Sequence, residues 1–191
     1  MTGSLAYRKN EAAILRGVAP EKYTRLLPFI PGNRVVEIGA AEGVLALLLA
    51  RQGRRVTAIE RNLERHLNAI NLSARWRQKD KFDSPNFVLG HVMDHLDHFE
   101  GADTLVAVRV VYHLREYIDD VFAAASLSIP NVVLCGNRGR GEQWRAGVAD
   151  EPGGPLNYYS AIEGMRELLT RHGYAIVREE VAGDPIVVGR K

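Results

Sequence analysis

Arg34-Val-Val-Glu37-Ile-Gly39-Ala40-Ala41-Glu42-Gly43 runs into the apolar stretch Val44 to Ala50, and Val56-Thr-Ala-Ile-Glu60 follows. A short β-branched strand enters a glycine-bearing turn. The turn opens a helix of Ala and Leu that Gly53 ends, and a second strand closes on a carboxylate. Gly39 leaves the first strand where the chain must bend. Gly43 permits close packing where the helix starts, and the helix N-terminus offers free N–H groups. Glu60 stands 21 positions after Gly39, where such folds place an acidic side chain that accepts hydrogen bonds from ribose hydroxyls. The stretch therefore points to an adenosine-type cofactor on a Rossmann-like sheet.

A dinucleotide is the nearest competitor. The G-x-G-x-x-G fingerprint needs glycines at 39, 41 and 44, but these positions are Gly39, Ala41 and Val44. The fit is poor and no pyrophosphate cradle is evident.

The rest of the chain repeats the strand–helix pattern. After a helical region from 10 to 29, broken near Pro20 and stopped by Pro28 and Pro31-Gly32, strands are expected at Arg34 to Ile38, Arg55 to Glu60, Asn86 to Gly90, Thr104 to Val108 and Asn131 to Cys135. Helices are expected at Val44 to Arg51, from the Asn62 cap to about Gln78, at Arg115 to Ser126 and at Tyr159 to Arg171, with a helical turn over Asp94 to Phe99. Tyr174 to Val181 and Ile186 to Gly189 close the chain as strands joined by Ala182-Gly-Asp-Pro185. Helix-linked strands run parallel, because their crossover is long and right-handed. A four-residue link cannot cross over, so the last strand runs antiparallel to its predecessor.

This pattern resembles the class I S-adenosylmethionine (SAM)-dependent methyltransferases. Glu37-x-Gly39-x-Ala41-x-Gly43, Glu60 and the final hairpin carry the resemblance, which covers most of the chain from about Arg34 onward. It implies an α/β fold, a Rossmann-like three-layer sandwich whose seven-stranded, mainly parallel sheet ends in an antiparallel C-terminal hairpin strand. It implies SAM as cofactor. Glu37 and the turn Gly39, Ala40, Ala41 and Gly43 would hold its methionine end, Glu60 with Arg61 its ribose, and His91, Val92 and Met93 its adenine. Arg109 joins this cofactor set. The middle glycine of the family motif is Ala41 here, and His91 replaces a frequent aspartate.

Methyl transfer to a hydroxyl needs a base, because neutral alcohols are weak nucleophiles. The segment after the fourth strand, Arg109-Val-Val-Tyr112-His113-Leu114, faces that chemistry. His113 is the candidate base; Arg109 is also placed to orient an anionic group. The long Gly/Pro-rich segment 136 to 158 offers Arg138, Arg140, Trp144 and Arg145. Tyr112, Arg138 and Trp144 are the substrate-contact candidates. The Asn/Asp-Pro-Pro-Tyr signature of DNA and glutamine N-methyltransferases is missing after strand four. Cys135 ends an apolar strand and reads as a core thiol rather than a nucleophile. His91, Asp94, His95, Asp97 and His98 are metal-ligand types, but the expected loop explains them as cavity wall followed by a solvated turn, and no metal is expected.

Composition bounds the remainder. With 191 residues, 46% hydrophobic and 25% charged, the chain suits one domain with a full core: residues 1 to 32 as a helical lid segment carrying Tyr7, Arg8 and Lys9, and 136 to 158 as a substrate loop. A formal charge of +2 is too small to argue for nucleic acid. One cysteine and no apolar signal or span favour a cytoplasmic protein without membrane partners. The expected acceptor is a small molecule, a hydroxyl on a sugar-like or acidic metabolite. The alternatives are an RNA or protein methyltransferase, drawing on Arg75, Arg77, Lys79 and Lys81, and a non-catalytic SAM-binding subunit.

Overall fold

The computed structural model describes residues 12–16, 18–154 and 156–191. Seven strands form one sheet: β1 (Arg34–Ile38), β2 (Arg55–Glu60), β3 (Asn86–Leu89), β4 (Thr104–Val108), β5 (Asn131–Cys135), β6 (Ala175–Glu180) and β7 (Ile186–Arg190). Their order is β3-β2-β1-β4-β5-β7-β6. The first five run parallel, and β7 pairs antiparallel with both β5 and β6. The short link makes β6 and β7 neighbours, and β7 inserts beside β5, leaving β6 at the edge.

The β-branched sequences of the central strands are explained by two covered faces. Val35, Val106 and Val133 pack on one side with the helix α1 (Val44–Arg51) and with Leu72 and Trp76 of α2 (Leu63–Arg77). Val36, Leu105, Ala107, Val132 and Leu134 pack on the other, against α3 (Ile118–Ser128) and α5 (Ile162–Arg171). Helix α1 has no exposed stripe from Val44 to Ala50, so it is a core helix rather than an amphipathic one. Its leucines each contribute about 1.5–3 kcal/mol of transfer free energy. Asn62 caps α2 as its residue type predicts, its Oδ1 accepting from the Arg65 N–H at 3.0 Å.

Several expectations are corrected. The described part of the 10–29 region is helical only in short pieces: 12–15 and Glu21–Thr24 lie on either side of the expected break near Pro20, and Leu27–Phe29 is 3-10, with Pro28 inside it rather than ending it. The Arg115 to Ser126 helix begins instead as a turn at Val111–Leu114, breaks at Arg115 with φ 53°, and resumes as α3. The segment 136–158, expected as a loop, holds the helix α4 (Arg138–Arg145) in its first half. Asn137 caps α4, and Gly141 lets it approach Ala161, whose Cα would lie 3.2 Å from any added Cβ. Among the described residues no helix is long and apolar enough to cross a membrane.

Candidate functional site

Strand order reverses between β1 and β4. In open α/β sheets a ligand crevice opens outside the carboxyl ends of the strands at that reversal. Gly39 ends β1 there and Arg109-Val110 leave β4 opposite it. A side chain on residue 39 would overlap Val110, and Gly39 has φ 65°, so both space and backbone demand glycine. A cavity of about 530 Å³ opens at this point.

The first wall is the turn. Glu37, Gly39, Ala40 and Ala41 line the cavity. Ala41 adopts φ 49°, uncommon for a residue with a Cβ. That conformation aims its N–H at Glu60, whose Oε2 accepts at 2.8 Å. Glu60 Oε1 accepts from the Asn62 N–H, also at 2.8 Å. Each carboxylate oxygen keeps a further lone pair, so Glu60 is held in place with acceptor capacity left over. Gly43, with φ 70°, does not line the cavity; a side chain there would crowd Phe87 and Ala69, so its role is helix packing.

Glu37 is fully enclosed. The Ala46 N–H in the first turn of α1 bonds its carboxyl, while Oε2 has no protein partner. Burial, reinforced by Glu60, pushes its pKa up to about 8. An orphaned buried carboxyl oxygen in the cavity wall is the receptor a cationic ammonium needs, and the acceptor pair of Glu60 suits vicinal hydroxyls. The residues present therefore fit SAM.

Across the cavity, Arg61, His91, Val92 and Arg109 line the wall as expected, together with His113. Met93 does not; it packs into the core behind the wall. His91 is held by Tyr117, ring centroids 4.8 Å apart, and by the Met93 N–H donating to its Nδ1 at 3.4 Å. The Arg109 guanidinium pairs with Asp184 of the β6–β7 turn, so its charge is largely answered before any ligand arrives.

His113 sits in the Val111–Leu114 turn with its ring toward the cavity. Burial and then Arg140, Arg61 and Arg65 hold its pKa below the ordinary value. It is thus a free base at neutral pH. Tyr112 is buried beside it, ring centroids 4.5 Å apart, and Arg140 lies over the Tyr112 ring at 5.3 Å.

None of the three substrate-contact candidates, Tyr112, Arg138 and Trp144, lines the cavity. The Arg138 guanidinium pairs with Glu142 one helical turn on and faces solvent. Trp144 packs on Tyr158, centroids 4.8 Å apart. With Gly141 packed on Ala161, Arg140 and not Arg138 faces inward, where it donates to Asn157 Oδ1 at 3.2 Å. Lys22, Tyr23 and Arg65 also line the cavity and were not singled out from sequence. Lys22 and Tyr23 come from the expected lid segment, whereas Tyr7, Arg8 and Lys9 lie outside the described residues. Of the basic run at the end of α2 and just after it, Arg77 donates to the Phe82 carbonyl and Lys79 to the Leu15 carbonyl. Cys135 is buried, and burial first, then Asp184, pushes its pKa up to about 12, so it is no nucleophile.

Comparisons with known proteins agree with this geometry. The family model described as a methyltransferase domain matches residues 7–179. Magnesium protoporphyrin IX methyltransferase from Synechocystis PCC 6803, crystallised with SAH, superposes with a TM-score of 0.65 at 15% identity, over 99% of this chain and 88% of that one. A SAM-dependent methyltransferase from Archaeoglobus fulgidus gives 0.64 at 13% identity, over 97% and 96%. The N-terminal domain of EvdMO1 with SAH bound gives 0.61 at 17% identity, over 89% and 79%. No curated protein matches the chain. A glycine turn at the strand reversal, a ribose-type carboxylate behind it and a family match over most of the chain place the protein in the methyltransferase domain family, as a SAM-dependent methyltransferase.

Proposed function

We propose that this enzyme methylates a hydroxyl on a small, negatively charged metabolite, with His113 as general base. The observation that carries the reading is the charge around His113. The base opens into the cofactor cavity among Lys22, Arg61 and Arg65, while Arg109 on the same wall is already paired with Asp184. Of the acids on the same wall, Glu37 has its pKa pushed up to about 8 by burial, and Glu42 and Glu60 leave the cations Lys22, Arg61 and Arg65 in excess. The remaining field favours an anion, and oriented cations hold such a substrate in register.

Bound SAM supplies a sulfonium methyl group. The chain's own residues do the rest. His113 takes the hydroxyl proton on its imidazole as the oxygen becomes nucleophilic. The surrounding cations stabilise the acceptor's anionic group and keep His113 unprotonated between turnovers. In this reading the described parts of the 1–32 and 136–158 segments wall the acceptor site within one methyltransferase domain, with Lys22 lining the cavity and Arg140 over the Tyr112 ring behind it. A sugar-like acceptor is in keeping with one structural relative, the EvdMO1 N-terminal domain crystallised in the presence of SAH and D-fucose. A macromolecular acceptor has less support, because Arg77 and Lys79 are already bonded to backbone carbonyls.

The test is SAH release from SAM across matched panels of hydroxy acids, sugar phosphates and uncharged alcohols. Turnover concentrated on the anionic hydroxyl compounds supports the assignment. Turnover only with amines, or only with RNA or protein, overturns it.

A further inference from the structure

The segment after the cavity wall carries five side chains with metal-ligand chemistry, and the sequence alone gives no reason to expect a metal there. The fold sorts them. His91 turns to Tyr117. Asp94 stands exposed and apart. The other three converge. The 3-10 segment Val92–Phe99 is interrupted at His95, with φ −136° and ψ 26°. Across that kink the His95 and His98 rings stack, centroids 6.0 Å apart and planes 26° from parallel. The Asp97 carboxylate joins them, and one ligand atom from each of the three lies within 4.8 Å of the others.

Two observations set this group apart from an ordinary polar turn. Among the described residues, no hydrogen bond or ion pair engages the side chain of His95, Asp97 or His98. Two half-buried imidazoles and a carboxylate thus stand together with their donor atoms unspent. In addition, the His95 ring is seated on Gly90: a side chain at residue 90 would overlap its Nε2. Gly90 is therefore a residue that both borders the cofactor cavity and makes room for this imidazole.

We propose that His95, Asp97 and His98 form a binding site for one divalent transition-metal ion of the zinc type, with water completing its coordination. The ligand chemistry selects the ion. Imidazole suits zinc, cobalt, nickel and copper, whereas magnesium and calcium prefer all-oxygen sets. Ligand bonds of about 2.0–2.2 Å place neighbouring donors about 3 Å apart around such an ion. Side-chain rotations of about 1 Å close the observed spread, and both rings already face one another. Arg34 and Arg55 line the groove beside Asp97 and His98. Arg34 is drawn aside toward the Glu100 carbonyl, at 3.4 Å. These two charges weaken the site relative to a four-ligand structural zinc centre without blocking it. The ion lies behind the cavity wall, outside the methyl-transfer chemistry, and braces the Gly90-His91-Val92 wall from its far side. The proposal does not depend on the identity of the acceptor.

The test uses the untagged full chain, stripped with a chelator and titrated with Co²⁺ and Zn²⁺. One Co²⁺ per chain is expected, with the visible absorption of a nitrogen- and oxygen-ligated ion and displacement by Zn²⁺. The double variant Asp97→Asn/His98→Gln should lose the absorption and bind at least tenfold more weakly, while His172→Gln leaves both unchanged. Asp97 is exposed, so Asp97→Asn alone gives a variant that keeps the fold, checked by circular dichroism. A wild-type chain that binds neither ion at millimolar concentration overturns the site. So does binding whose stoichiometry and spectrum are the same in the variants.

Discussion

Arg109 and Asp184 stand 75 residues apart and meet in an ion pair, with Arg109 Nε donating to Asp184 Oδ2 at 2.8 Å. The other carboxylate oxygen accepts from the Arg138 N–H at 3.1 Å, and the Asp184 carbonyl accepts from Arg25 at 2.9 Å. One aspartate in the hairpin turn thereby ties the end of β4, the start of α4 and the N-terminal segment together at the mouth of the cavity.

Replacing Asp184 by Asn should therefore disturb the acceptor side more than the fold. Arg109 is partly exposed, with 42% of its side chain accessible, so the pair contributes less than about 1 kcal/mol to stability. The expected result is a small change in melting temperature, SAM affinity within about threefold of wild type, and an altered KM for the acceptor. A fall in SAM affinity equal to the change in acceptor KM would show that Arg109 serves the cofactor instead.

His113→Gln should lower kcat by about a hundredfold or more while leaving SAM binding intact. The pH profile carries a sharper sign. A base must be unprotonated, and burial with Arg140, Arg61 and Arg65 lowers the pKa of His113 from 6.5. The rate should stay level through neutrality and fall only as pH drops through a value below 6.5. Arg140→Ala removes one of those cations, so the acid limb should move up toward the ordinary histidine value. An unmoved limb in that variant would remove His113 as the titrating group.

Glu37 makes cofactor binding a proton-linked event. Its folded pKa is near 8 because burial penalises the carboxylate. An arriving ammonium favours the charged form, so binding lowers that pKa and releases a proton. Calorimetry of SAM binding at pH 7 in buffers of different ionisation enthalpy should report release of about one proton. Affinity should rise with pH until about 8. Glu37→Gln should abolish the release.

Ala41 holds a left-handed conformation that costs a side-chain-bearing residue about 1 kcal/mol. Ala41→Gly should raise the melting temperature by no more than about 2 °C, since the added chain entropy offsets about half or more of the relieved strain, with SAM binding retained. Glu60→Ala removes the acceptor that this turn feeds and should weaken SAM and SAH binding by about tenfold or more. Calorimetry distinguishes the two: a stabilised turn in one, a lost ligand contact in the other.

The chain order of strands, the antiparallel last strand and the cofactor turn are written locally. Residue types at fixed spacing decide them: β-branched runs for β1 and β4, the 21-residue interval from Gly39 to Glu60, and a hairpin link too short to cross over. Asn62 announced its helix because a cap acts within three residues. The acceptor side was less legible, because orientation there depends on contacts distant in sequence. Nothing in Arg138-Gly-Arg140 says which arginine turns inward; glycine-rich sequence argues against a helix, and the packing of Gly141 against Ala161 with the Arg145–Glu163 pair supports α4 from residues distant in sequence. Lys22 reaches the cavity because the N-terminal segment folds over the strand reversal, and Arg109 is neutralised by a turn 75 residues away. His95, Asp97 and His98 read as a solvated turn until a single backbone kink brought their ligand atoms together. The sequence by itself determined the sheet and an adenosine-type cofactor turn, since both follow from short-range periodicity and turn geometry, and the resemblance carried by Glu37, Gly39 to Gly43, Glu60 and the final hairpin named the methyl donor. The tertiary structure alone decided which charges face the base, because that is set by long-range packing.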